Sequence, residues 1–124
     1  MEVTLRFQER RDSIRLKMDY PAICTRLDDQ GGEYGQKISR SMNISLGGVR
    51  LQSNLAVDPG EVLVITMALG ENLITFKGKV IYVTPSEGKG FEFGISIEDI
   101  ENQDRIALTR FIYYFKGSRQ RVNA

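Results

Sequence analysis

The chain has no histidine and a single cysteine, and these two scarcities narrow its chemistry before any motif is considered. Without histidine it lacks the commonest general base, the usual metal ligand, and every Ser-His-Asp or Cys-His arrangement. One cysteine, Cys24, cannot close an internal disulfide. It sits in PAICTRL among strand-like residues, where a small buried hydrophobe is expected rather than a reactive thiol. Long apolar runs are also missing, so no segment is expected to insert in a bilayer. The leading MEVTLRFQERRDS lacks the apolar core of a secretory signal. A soluble, cytoplasmic protein is the expectation. A net charge of only +1 gives no global field to draw the chain onto nucleic acid.

What is present fits one domain. With 124 residues, 41% of them hydrophobic, the chain is long enough to bury a core without staples. The charge is unevenly spread: Arg6, Arg10, Arg11, Arg15 and Lys17 crowd the N-terminal stretch, while Lys116, Arg119 and Arg121 mark the other end. A local anion site suits this distribution better than a broad basic face. Paired carboxylates can act as acid and base or hold a hard cation, but Asp28-Asp29 and Glu98-Asp99 read as a turn and a helix approach. Neither an enzyme, nor a metal site, nor a bound cofactor is expected.

Residues 1–15 are polar, charged and without clear period, and read as an arm. Pro21 then opens a β-rich run at 22–27, closed by the turn-rich DDQGGEYG at 28–35. A second strand covers roughly 36–42, followed by a turn in NISLGG. GVRLQS at 48–53 alternates, with Val49 and Leu51 on one side. After the turn AVDPG comes EVLVITMAL, 61–69, apolar on both faces and so expected to be covered on two sides. LGEN at 69–72 is a hairpin turn, LITFKGKVIYV at 73–83 returns, and FEFGISI, 91–97, follows another turn. Six short strands at this spacing predict a small antiparallel barrel or sandwich. In NQDRIALTRFIYYF the period becomes helical: Ala107, Phe111, Tyr114 and Phe115 share a face flanked by Leu108 and Ile112, and Gly117 is expected to stop the helix.

Two short stretches stand out. In Arg10-Arg11-Asp12-Ser13-Ile14-Arg15, arginines four apart on an arm can converge on one anionic ligand. Guanidinium forks bond two acceptors at once, such as O6 and N7 of guanine, and also pair with phosphate. A solvated basic loop has the same composition. In Asn43-Ile44-Ser45-Leu46-Gly47-Gly48, Asn43 and Ser45 lie two apart and share a face of extended backbone. Asn supplies a donor and an acceptor and Ser a hydroxyl. The paired glycines allow a positive φ and close approach of a flat ligand. An ordinary β-turn uses the same residue types.

Taken in order, R-x-x-x-R at Arg11 and Arg15 and N-x-S-x-x-G at Asn43, Ser45 and Gly48 resemble the signature of the PilZ domain family. The likeness extends to a Pro-initiated first strand after the arginines, the G-V-R-L strand after the glycines, a D-P-G-E turn, the closing GFEFGISI and a terminal helix. It spans roughly residues 9–115. The resemblance implies a mainly β fold: a six-stranded antiparallel barrel with a C-terminal α-helix and a flexible N-terminal arm. It divides the chain into an arm at 1–8, a PilZ domain at 9–116 with its helix at about 102–116, and a tail at 117–124.

It also implies cyclic di-GMP as ligand, with Arg11 and Arg15 contacting guanine edges and phosphates. Asn43, Ser45, Gly47 and Gly48 form the turn lining the other guanine. Asn43 stands where many family members carry Asp, and brings no negative charge toward the guanine N1 and N2 donors. Arg10, just outside the strict motif, is a candidate for holding a second, stacked ligand molecule. A doubly anionic dinucleotide would neutralise the arginines and fold the arm against the barrel, a change read by a downstream effector protein. Two other functions share these features. A PilZ-like adaptor binds protein and no nucleotide. A small barrel binding single-stranded nucleic acid needs exposed strand aromatics, for which Phe76, Tyr82, Phe91 and Phe93 are the candidates.

Overall fold

Alternation of apolar side chains carries through into a barrel. The computed structural model describes residues 16–88 and 90–123. Six strands, β1 (Leu16–Leu27), β2 (Glu33–Ile44), β3 (Gly48–Ser53), β4 (Val62–Leu69), β5 (Asn72–Pro85) and β6 (Phe91–Ile100), precede one helix, α1 (Asn102–Asn123). The sheet closes in the order β1-β2-β3-β6-β5-β4, every neighbour antiparallel. Closure leaves no free sheet edge. β4 shows the cause most clearly, since Leu63, Ile65, Met67 and Leu69 are buried while Val62, Val64, Thr66 and Ala68 are half-exposed. Each buried side chain contributes about 1.5–3 kcal/mol relative to exposure. The outer face of β4 is thus not covered, contrary to the expectation from its apolar residues.

β1, β2, β5 and β6 run longer than their periodicity predicts. β1 begins at Leu16, so Pro21 lies within a strand instead of opening one. Pro21 is tolerated because pairing with β4 starts only at Ala22, and its missing N–H leaves no gap in that ladder. Asn43 and Ile44 belong to β2, which shortens the following connection to Ser45, Leu46 and Gly47. Glu98 and Asp99 belong to β6 and do not form a helix approach. Asp28 holds its turn as expected, its carboxylate accepting from the N–H of Gln30 and of Gly32 at 2.9 and 2.7 Å. Cys24 is buried in the core, and burial pushes its thiol pKa up.

Helix α1 closes the barrel against β5 and β1. Its packing face centres on Leu108 and Ile112, with Ala107 and Phe111 beside them. Phe111 meets Tyr20 edge-on, the ring centroids 5.9 Å apart. Tyr114 is exposed, so the face is turned from the predicted one, and the side chain of Phe115 lies outside the described residues. Gly117 does not stop the helix, which continues to Asn123. An interior glycine costs about 1 kcal/mol relative to alanine, and the arginines and glutamine that follow favour helix with no proline to end it.

Candidate functional site

Asn43 owes its position to a bulge. In β2, Ser39 and Ser41 point inward, and simple alternation would send Asn43 inward as well. The ladder slips between Ser41 and Asn43, where Met42 is the extra residue, so that Asn43 pairs with Arg50 and Ile44 with Val49. Ile44 and Val49 are core residues, which puts Asn43 and Arg50 on the outer face. Asn43 remains only 7% exposed.

The bend after β2 is tightly tied. Ser45 donates its N–H to the carbonyl of Gly48 at 2.9 Å, and its hydroxyl lies 3.4 Å from both that carbonyl and the N–H of Gly47. The carbonyl of Gly47 accepts from the N–H of Ile97 at 2.9 Å, which fastens the bend to β6. Neither Gly47 nor Gly48 adopts a positive φ, so the freedom that paired glycines allow is not used here. Gly48 is required for space instead: a Cβ there would run into the carbonyl oxygen of Ile95.

Register carries the site further around the barrel. Asn43 pairs with Lys17 on β1 and with Arg50 on β3, Arg50 with Gly94 on β6, and Gly94 with Tyr82 on β5. Three ladder irregularities adjoin this row, between Lys17 and Tyr20, between Ser41 and Asn43, and between Val80 and Tyr82. The ring of Tyr82 fills the volume that a Cβ of Gly94 would take. From there its hydroxyl accepts from Arg50 Nε at 3.1 Å. Sequence reading overlooked Arg50 as a site residue and named Tyr82 only as a candidate stacking aromatic. The alternation of GVRLQS does place Arg50 outward, but the residue opposite it depends on registers that no local pattern encodes.

Of the expected site residues, Asn43, Ser45, Gly47 and Gly48 come together in this one bend. Arg10, Arg11 and Arg15 lie outside the described residues. Of the four strand aromatics, Phe76 and Phe93 are core and Phe91 is half-buried, leaving Tyr82 as the exposed one. Among the described residues, no row of outward-facing aromatics forms a stacking platform for nucleic acid. Among the described residues, no group of three or more cysteine and carboxylate side chains can hold a metal ion, and no helix is long and apolar enough to cross a membrane.

A family model of the PilZ domain matches residues 9–114. The chain belongs to the PilZ family. Solved structures agree in fold. The inhibitor of motility MotI/DgrA from Bacillus subtilis superposes with a TM-score of 0.68 at 18% identity, over 88% of this chain and 50% of that one. The PilZ domain of YcgR from Escherichia coli, solved with c-di-GMP, gives 0.61 at 14% identity over 88% and 94%. The MrkH–c-di-GMP complex of K. pneumonia gives 0.60 at 18% over 86% and 52%. This PilZ chain therefore spans about half the length of the MotI and MrkH chains and matches nearly all of the isolated YcgR domain. No curated protein sequence matches it.

Proposed function

We propose that this PilZ domain is a cyclic di-GMP receptor that captures the dinucleotide between Arg11 and Arg15 of the leading segment and the Asn43–Gly48 bend. One observation carries the reading: β1 starts beside that bend, Leu16 pairing with Ile44. Chain connectivity caps the Cα distance from Leu16 to Arg15 at about 3.8 Å and to Arg11 at about 18 Å. The two halves of the motif are therefore within reach of one ligand. Family membership and the two neighbours solved with c-di-GMP point to the same ligand.

The chemistry is binding and not catalysis. Forked guanidinium groups suit both the phosphates and the O6/N7 edge of guanine, and are always charged. Ser45 and Asn43 supply short polar groups on a bend that is fixed to β6 before any ligand arrives. On this reading Arg10 holds a second, stacked ligand molecule, and a measured stoichiometry of one removes that role. Neutralising the arginines orders the leading segment against the barrel, and a separate effector protein reads the new surface. Titration calorimetry of the whole chain tests the central point. Micromolar or tighter binding of cyclic di-GMP, with GMP as a weak control, is the expected result. Absence of heat at high micromolar concentration ends the receptor reading.

A further inference from the structure

We infer that Arg50, held in place by Tyr82, is a further ligand contact of this site and takes a phosphate of the bound dinucleotide. The inference rests on the receptor reading above. It names a side chain of the barrel wall that lies outside both R-x-x-x-R and N-x-S-x-x-G.

Three observations converge on Arg50. It is the cross-strand neighbour of Asn43 on the same outer face, and such partners have Cα atoms about 4.5–5.5 Å apart. A ligand that touches Asn43 is thus within a side chain's length of Arg50. Second, Arg50 is a half-exposed cation with no carboxylate in ion-pair range among the described residues. Its side-chain hydrogen bond goes to the hydroxyl of Tyr82 and not to a carboxylate. Arg26 shows the ordinary surface alternative, since its guanidinium meets Glu61 at 2.7 Å. Third, the support under Arg50 is built: Gly94 leaves room for the Tyr82 ring, and the bulge between Val80 and Tyr82 turns that ring onto the row. Bulges re-aim side chains in this way and cluster beside functional sites.

The bond geometry says which group Arg50 offers. Nε is engaged by Tyr82, so the two terminal nitrogens remain as a fork for acceptor oxygens. Holding one end of a long side chain lowers the entropy lost when the ligand arrives. Tyr82 is accordingly a positioning residue and Arg50 the contact. A cyclic dinucleotide carries two anionic phosphates, and a barrel-wall cation beside Asn43 complements one of them.

The test is calorimetric titration of cyclic di-GMP into the full chain at low and moderate salt, for wild type, R50Q, R50K and Y82F, with melting of each free protein. R50Q should bind about tenfold more weakly or worse, with a flatter salt dependence and an unchanged melting temperature. R50K, which keeps the point charge but neither the fork nor the bond to Tyr82, should recover the salt dependence and only part of the affinity. Y82F should lose only a few-fold. If wild type binds and R50Q binds equally well, the inference is overturned while the receptor reading stands. A loss in R50Q that leaves salt dependence untouched, or a salt dependence in R50K as flat as that of R50Q, overturns the phosphate assignment. If wild type does not bind, both readings fall.

Discussion

Two short connections of this barrel both use glycine, for opposite physical reasons. Between β4 and β5, Gly70 has φ +63° and nothing within 4 Å of its missing side chain. Only its backbone angle demands glycine, as two-residue hairpins commonly do. Between β2 and β3, Gly48 has an unremarkable φ but no room, because the carbonyl of Ile95 fills the place of a Cβ. The first connection is a free-standing hairpin. The second is pressed onto β6, with Gly47 bonded to Ile97 and Ser45 bonded within the bend. A connection that is packed and pinned on one side can present its other side to a ligand without rearranging, which the β4–β5 hairpin cannot do.

The largest test of this contrast is on binding. Arg11→Ala or Arg15→Ala should cost about 2–5 kcal/mol of cyclic di-GMP affinity, enough to abolish micromolar binding. The melting temperature of the free protein should stay nearly unchanged. Substitutions at Glu71 in the β4–β5 hairpin should leave affinity as it is. Unaltered affinity in the arginine variants, measured by calorimetry, removes the leading segment from the site and with it the asymmetry between the two connections.

Next in size is a pair of substitutions that reverse order between the two places. At Gly48, alanine should lower stability by about 1–3 kcal/mol, and asparagine by more, because any side chain must push β3 away from β6. At Gly70, asparagine should be better tolerated than alanine, since Asn visits the left-handed region at lower cost and the space is open. Chemical denaturation of the four variants reads this directly. Asparagine ranking above alanine at both positions would show that Gly48 is also held by its backbone angle, and that the crowding at Ile95 relaxes freely.

Much of the fold was readable from period alone. β3 and β4 lie within a residue of their expected bounds, GVRLQS because it alternates and VLVITMAL because it is a continuous apolar run between two turn signals. The misreadings fall where a tertiary constraint overrides the local pattern. Nothing in SMNIS says that Met42 is a bulge, so the outward aim of Asn43 is a property of pairing with β3. Two glycines in a row suggest a left-handed turn, whereas their role is to let β3 approach β6. The row joining Asn43, Arg50, Gly94 and Tyr82 crosses four strands and steps from residue 50 to residue 94, and no short window along the chain can contain it. The same holds for α1, whose packing face is set by where β1 and β5 leave room, Tyr20 among them.

The smallest effect concerns Gly47, the neighbour of Gly48. Its backbone angle is ordinary, nothing lies within 4 Å of a Cβ built on it, and it is exposed. Its fixed partner is the N–H of Ile97, which its carbonyl keeps after substitution. Gly47→Ala should therefore leave stability unchanged or raise it by up to about 1 kcal/mol, through the lost freedom of the unfolded chain. Yet if a flat guanine lies against this stretch of backbone, the new methyl stands between ligand and bend, and affinity should drop a few-fold even as the protein melts no lower. A rise in stability with undiminished binding would place the ligand on the Ser45 and Asn43 side of the bend and away from Gly47. Binding and folding respond in opposite directions only where a position is exposed to the ligand and unstrained without it, and in this bend that description fits Gly47 and excludes Gly48.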